Sequence, residues 1–300
     1  HEYFIKDHGK IKNSEFSIIG LGTLGSGEMQ FGSDLDLIFV YDNIENIKFS
    51  NGKNQLAASI YFARLSKQFI SNITSLTPEG KIYDIDMRLR PSGKSGPIAT
   101  SLSSFEEYHK NSSWIWERMA LTKAKVIAGD TRIEIKINNL IKKILSEPIN
   151  KIELKKEVIN IREKINKEHP KKEWQIKNSY GGLLDIQFIS QYLQLANASV
   201  NKKILDQNNI EVFTKLKDNK IISIEMSNQL IDIANIQFNF HAIMSICYKD
   251  DVNIGKFSDE IYQKLFKLLN VNNKRELLNK FDEVQKKIRY IFDKSIKKQE

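Results

Sequence analysis

Two carboxylates, Asp34 and Asp36, lie two residues apart in an apolar segment, and a Gly-rich turn runs into them: IIGLGTLGSGEMQFGSDLDLIFVY, residues 18–41. Side chains in a strand alternate between faces. Both acids therefore point the same way, while Leu35, Leu37, Ile38, Phe39 and Val40 anchor the strand in a core. Two like charges side by side repel, and leaving them unpaired beside a buried strand is costly. A divalent cation is their natural partner, and magnesium suits a site that supplies one or two carboxylates and leaves the rest to water and phosphate oxygens. Asp86 is a third acid, on a segment (residues 81–89, KIYDIDMRL) that alternates like a strand able to lie beside the first. Asp84 shares its face, and spacing does not choose between the two. Three convergent carboxylates point to metal-assisted phosphoryl or nucleotidyl transfer. Two would hold metal against a triphosphate, and the third would complete a second metal site or take the proton from an attacking hydroxyl.

Around the acids stand groups suited to phosphate. Gly25 and Ser26 precede Asp34 by a short turn or helix, where backbone N–H groups can approach phosphate oxygens, although the same glycines describe many tight turns. Arg88 and Arg90 continue the third strand, and their planar forks match phosphate oxygens; a surface ion pair is the plainer reading of each. The loop RPSGKSGP, residues 90–97, is expected to flex and close on a ligand, or else to be a solvated turn. Trp114 and Trp116 could stack on a base, but aromatics at this spacing are expected to fill a core.

The elements that position these groups fall into an α+β pattern. Strands are expected at residues 17–19, 34–41 and 81–89. Helices are expected near Gly25, over about 55–72, from a Ser103 cap with Glu106 closing a capping box, and over 114–127. Beyond Asp130 the pattern is helical throughout, in segments near 131–146, 150–167, 182–197, 208–217, 223–248 and 257–295, the last broken near Asn270. Pro148 and Pro170 fall between segments, and the terminal IKKQE is expected to fray. This reading gives two domains, a catalytic one over 1–130 and a helical bundle over 131–300.

Composition narrows the classes. The chain has 300 residues, 41% of them hydrophobic, enough for a sizeable core. No apolar run is expected to reach the ~20 residues that span a bilayer, and the N-terminus has no secretory pattern, so a cytoplasmic place is the default expectation. The net charge of +9 comes mostly from Lys spread over helices. Arg88, Arg90 and Lys94 are too few for a duplex-binding patch, which argues against a nucleic-acid partner. The single Cys247 lies in an apolar stretch and is expected to pack as a small hydrophobe; His241 has no Cys or His at zinc-ligand spacing. The chain begins at His1 without Met, as a piece of a longer polypeptide would.

A Gly-Ser turn, an Asp-x-Asp strand and a later acid form the arrangement of the polymerase beta-like nucleotidyltransferases. The likeness narrows with five blocks in order: GLGTLGSGEMQFGSDLDLIFVYD, YDIDMRLRPSGKSG, SLSSFEEYHKNSSWIWERMAL, KAKVIAGD and KNSYGGLLDIQFISQYLQL. Together they resemble the glutamate-ammonia-ligase adenylyltransferase family closely to about residue 200, and the later helices only in general character. The resemblance implies a polymerase beta-like catalytic domain followed by a helical bundle, and transfer of AMP from ATP to a tyrosine of glutamine synthetase with Mg2+. Family enzymes carry an adding and a removing half. The wording at 32–36, 90–93, 114–117 and 128–130 resembles the adding half more. By the same resemblance Asp34, Asp36 and Asp86 would bind metal and catalyse, and Gly25, Ser26, Ser33, Arg88, Arg90, Lys177 and Asp185 would bind nucleotide. Helix capping explains Asp185 almost as well. A PII-type signalling protein is an implied partner. Two alternatives stand beside this reading: the removing half, which releases ADP with phosphate, and a PII-docking module without catalysis. Thr23 stands where the family usually has Lys, Ser26 where it has Gly, and Gln187 where it has Glu; the first and last remove charges that would serve activity.

Overall fold

The computed structural model describes residues 2–43, 47–78, 80–169, 176–247 and 257–297. It is a mixed α+β chain in two compact units, His1–Leu145 and Ser146–Glu300. In the first unit the order is α1 (Glu2–His8), β1 (Ser14–Gly20), α2 (Gly22–Ser26), β2 (Leu35–Asn43), α3 (Ala58–Thr74), β3 (Ile85–Asp86), β4 (Ala99–Ser101), α4 (Leu102–Asn111), α5 (Ile115–Leu121), β5 (Lys125–Gly129) and α6 (Thr131–Leu145). Helix α6 thus belongs with the sheet-bearing unit.

The sheet is small and mixed. β1 pairs antiparallel with β2 on one side and with β5 on the other, while β3 and β4 both run parallel to β2 along its remaining edge. Alternation sorts β2 cleanly. Leu35, Leu37 and Phe39 join Ile18 of β1 and Tyr61, Phe62 and Leu65 of α3 in one apolar cluster. Phe62 stacks on Tyr41 at 4.3 Å between ring centres. The opposite face carries Ile19, Ile38 and Val40, all buried, and α4 and α6 contact the strands there. Asp36 lies at the mouth of that second face.

Three local expectations are corrected. The strand expected over 81–89 is only Ile85–Asp86, and the edge of β2 resumes at Ala99 as β4. The Asp86 carboxylate accepts the Arg88 amide at 2.8 Å, a side-chain-to-backbone bond that competes with the ladder and turns the chain into the 87–98 excursion. The helix expected over 114–127 stops at Leu121, and residues 125–129 become β5, because pairing with β1 outweighs local helix preference. The cap of α4 is Ser101, whose Oγ accepts the Ser104 amide at 3.1 Å; Glu106 pairs with Lys143 at 2.9 Å. The strands expected at 17–19 and 34–41 are found as Ser14–Gly20 and Leu35–Asn43.

All regular elements described in the second unit are helical: α7 (Lys151–Glu168), α8 (Leu183–Asn197), α9 (Asn209–Asp218), α10 (Ile224–Cys247), α11 (Asp259–Leu269) and α12 (Lys274–Phe292), which runs into a π-helical turn at Asp293–Lys297. The break near Asn270 is a left-handed cap, φ 52°. Pro170 and the last three residues of the IKKQE tail lie outside the described residues. By length and composition α10 is apolar enough to cross a membrane, contrary to the expectation that no run would be. It is nonetheless two-sided. Leu230, Ile233, Ala234, Gln237 and Phe240 are buried, while Asn228, Asp232, Asn235 and Asn239 form an exposed polar stripe at helical spacing. Cys247, at its end, is exposed rather than packed.

Candidate active site

Asp36 and Asp86 are register partners across the parallel pair β2 and β3. Partners in neighbouring strands share a face, so these carboxylates project together on the side away from α3, and Asp34 stands two residues before Asp36. Asp86, and not Asp84, is the acid in register with Asp36. Asp84 precedes β3, gives its carbonyl to the Leu35 amide at 2.8 Å, and has an exposed side chain ion-paired with Lys81.

Gly22 forms a wall of the site. Its φ of +53° lies in the left-handed region, and an added Cβ would come within 2.3 Å of the Asp36 Oδ2. Only glycine leaves the carboxylate where it is. The spacing Gly20-Leu21-Gly22 is the signal in the sequence, and an ordinary tight turn gives the same one.

Arg88 closes on Asp86. Its amide reaches Oδ1 at 2.8 Å, and its Nε reaches Oδ2 at 2.7 Å. This contact holds the Asp86 carboxyl below its ordinary pKa, and the carboxylates of Asp86, Asp36 and Asp34 raise that of Arg88. Arg90 has another task. Its guanidinium donates to the carbonyls of Met87 at 2.8 Å, Lys94 at 3.2 Å and Gly96 at 3.3 Å, so the loop expected to flex is stapled from within. The Tyr108 hydroxyl donates to Glu117 at 2.8 Å, and Glu117 in turn accepts the Trp114 amide at 2.8 Å. Trp114 and Trp116 are 67% and 37% exposed, so the expectation that both fill a core is overturned.

The small residues expected at the nucleotide do structural work here. Gly25 sits where a Cβ would meet the Lys123 carbonyl at 1.8 Å, and its amide bonds Leu21 O at 2.9 Å. The Ser26 hydroxyl bonds back to Gly22 O at 3.1 Å and to Glu28 at 2.7 Å. Ser33 closes a turn, its Oγ accepting the Gln30 amide at 3.0 Å. Lys123, which the sequence did not single out, is buried with its Nζ 3.5 Å from Glu28. Thr23 accepts the Glu28 amide through its carbonyl at 2.8 Å.

Lys177 and Asp185 belong to the second unit. Lys177 is exposed, and its carbonyl accepts the Leu184 amide at 3.1 Å. Asp185 is fully buried. It pairs with Arg162, accepts the Gly181 amide at 2.7 Å and lies 3.6 Å from Arg289. The two guanidiniums each stand 4.4 Å from the Tyr180 ring centre. That arrangement is an anchor joining α7, α8 and α12.

Three carboxylates at adjacent strand ends are the hard oxygen donors that magnesium takes. Among the described residues, however, no three carboxylate, histidine or cysteine groups converge closely enough to hold a metal as the side chains stand. Their chemistry suits the ion, and the cation that faces Asp86 in this arrangement is Arg88.

The sequence model described as glutamate-ammonia ligase adenylyltransferase matches residues 4–140. A bifunctional glutamine synthetase adenylyltransferase/adenylyl-removing enzyme of a Bradyrhizobium strain is 34% identical over 292 residues, covering 97% of this chain. The chain belongs to the glutamate-ammonia ligase adenylyltransferase family. Enzymes of the same name from Rhodopseudomonas palustris and Xanthobacter autotrophicus are 33% and 40% identical, over 98% and 68% of the chain. It spans about 30% of the length of the first two relatives and 21% of the third. Residues 152–294, in the second unit, match instead the model described as GlnD PII-uridylyltransferase.

Proposed function

We propose that this chain is an adenylyl-transferring domain that moves AMP from ATP to a tyrosine of glutamine synthetase in the cytoplasm. The observation that carries the reading is the Asp36–Asp86 register pair, with Asp34 beside it, in a segment that matches the family's model. The first unit would be a polymerase beta-like catalytic domain and the second a helical bundle. Bound Mg2+ would neutralise the triphosphate and the charge that develops as pyrophosphate leaves. Asp34 and Asp36 would hold that ion. Asp86 would complete the site or accept the proton of the attacking tyrosine hydroxyl, which needs in-line access to the α-phosphate. Arg88 is the guanidinium free to turn toward phosphate oxygens, because its side chain is 71% exposed. Gly22 keeps the Asp36 carboxylate uncrowded.

The relatives' name includes an adenylyl-removing activity, so the opposite direction is the second reading. The match of residues 152–294 supports a PII-type protein as the partner of the second unit. The test offers this chain, with Mg2+, unmodified glutamine synthetase with ATP and, separately, the adenylylated form with phosphate. AMP-tyrosine detected by mass spectrometry in the first reaction is the expected result. ADP release confined to the second assigns the removing direction, and silence in both, under conditions where a full-length relative is active, sinks the proposal.

A further inference from the structure

We infer that Arg88 and a divalent cation compete for the Asp86 carboxylate, so that the apo site resists metal until a triphosphate draws the guanidinium away. The inference rests on the proposed metal and nucleotide site and adds an order to how it fills.

Both Asp86 oxygens are engaged by a single residue, Oδ1 by the Arg88 amide and Oδ2 by its side chain. A dication approaching those oxygens meets a guanidinium already in contact, and two cations cannot share so small a space without loss of affinity. The Arg88 charge also acts on Asp36 and Asp34, so it is a counter-ion to all three acids.

Arg88 is also the group able to leave. Its side chain is 71% exposed, and the hydrogen bonds found for it all go to Asp86. Arg90 shows the contrast: three of its nitrogens are committed to loop carbonyls, so it cannot turn outward without undoing the loop. A triphosphate offers a guanidinium several charged oxygens in forked geometry, a better partner than one carboxylate. When Arg88 turns to it, Asp86 is released to the cation that accompanies the nucleotide. Binding of each ligand then favours the other, and by linkage the effect is reciprocal.

The probe is Mn2+, titrated into the whole chain and followed by electron paramagnetic resonance, with and without a non-hydrolysable ATP analogue. Arg88→Gln is expected to tighten Mn2+ binding in the absence of nucleotide by roughly 5- to 150-fold, the usual span of such couplings. Lys94→Gln removes a charge that also acts on Asp86 without touching it, and should change Mn2+ affinity by no more than about 2-fold. An unchanged melting temperature checks that Arg88→Gln folds, as expected for an exposed side chain. Equal Mn2+ affinity in wild type and Arg88→Gln, with binding abolished by Asp86→Asn, overturns the inference and leaves the metal site standing. A similar gain from Lys94→Gln also overturns it, because net charge then suffices. No Mn2+ binding in any form, with or without analogue, removes the metal site and the inference together.

Discussion

Asp36 and Asp86 face each other across a parallel strand pair only two residues long on the β3 side, and the chain leaves that ladder directly afterwards. The same carboxylate that faces Asp36 also turns the chain out, by accepting the Arg88 amide. Asp86 therefore has two separable functions, charge and turn. Asp86→Asn keeps an oxygen that can accept the amide and removes the charge. It should fold normally and lose activity by about 10²- to 10³-fold, equivalent to several kcal/mol of transition-state stabilisation. Asp36→Asn should cost a similar factor, and the double variant little more than either alone, because the two act as one unit. Labelled AMP incorporation with melting curves checks this. Near-additive losses would show that the two carboxylates act independently.

Gly22 tests how closely the site is built. Gly22→Ala incurs the left-handed backbone cost, about 1–2 kcal/mol, and also drives a methyl into the Asp36 carboxylate. Gly27 is the control. Its φ of +71° carries the same backbone cost, but no atom lies within 4 Å of its added Cβ. Both variants should lose similar stability in thermal melts, and only Gly22→Ala should lose Mn2+ affinity and transfer activity. Equal activity losses would mean that backbone strain, rather than crowding of Asp36, is what matters.

The pairing of Asp36 with Asp86 was legible as far as both segments alternate like strands, whereas Asp34 lies one residue before β2. Helices α6, α11 and α12 were legible because their apolar period is strong, whereas α8 and α10 were legible by length and by the lack of strand breaks. What stayed hidden depended on contacts distant in sequence. Residues 125–129 look helical until β1 is beside them, and Arg90 looks like a phosphate ligand until the loop folds back on it. Asp185 looked like a site residue because the pairing that explains it comes from Arg162, 23 positions away, and Arg289, more than 100 away.

Asp185 and Arg162 are 0% and 1% exposed at their side chains. Removing one partner of such a pair leaves a buried charge uncompensated, at a cost of about 3–5 kcal/mol, whereas replacing both with apolar groups is often neutral. Asp185→Asn should lower the urea midpoint sharply. Pairing Asp185→Leu with Arg162→Met should recover much of the loss. The ATP-analogue affinity of whatever Asp185→Asn protein is folded should match wild type. A selective loss of that affinity with an unchanged urea midpoint would return Asp185 to the nucleotide.

His109 gives the fold a dependence on acidity. It is 4% exposed and lies against Phe105, with ring centres 4.5 Å apart; neither ring nitrogen has a hydrogen-bond partner among the described residues. Burial, helped by the Arg118 charge, lowers its pKa to about 4, against 6.5 for the ordinary side chain. Between those values the unfolded chain binds a proton that the folded chain refuses. Stability is therefore full above pH 6.5 and falls as pH drops toward 4, by about 3 kcal/mol for this residue. His241, half-buried and near Lys177, is also lowered to about 4 and adds a second contribution in the same window. His109→Phe should therefore remove about half of the histidine-dependent slope of unfolding free energy between pH 6.5 and 4, measured by urea titration at several pH values. An unchanged slope would mean that the His109 ring takes up a proton in the folded state and that its pocket admits water.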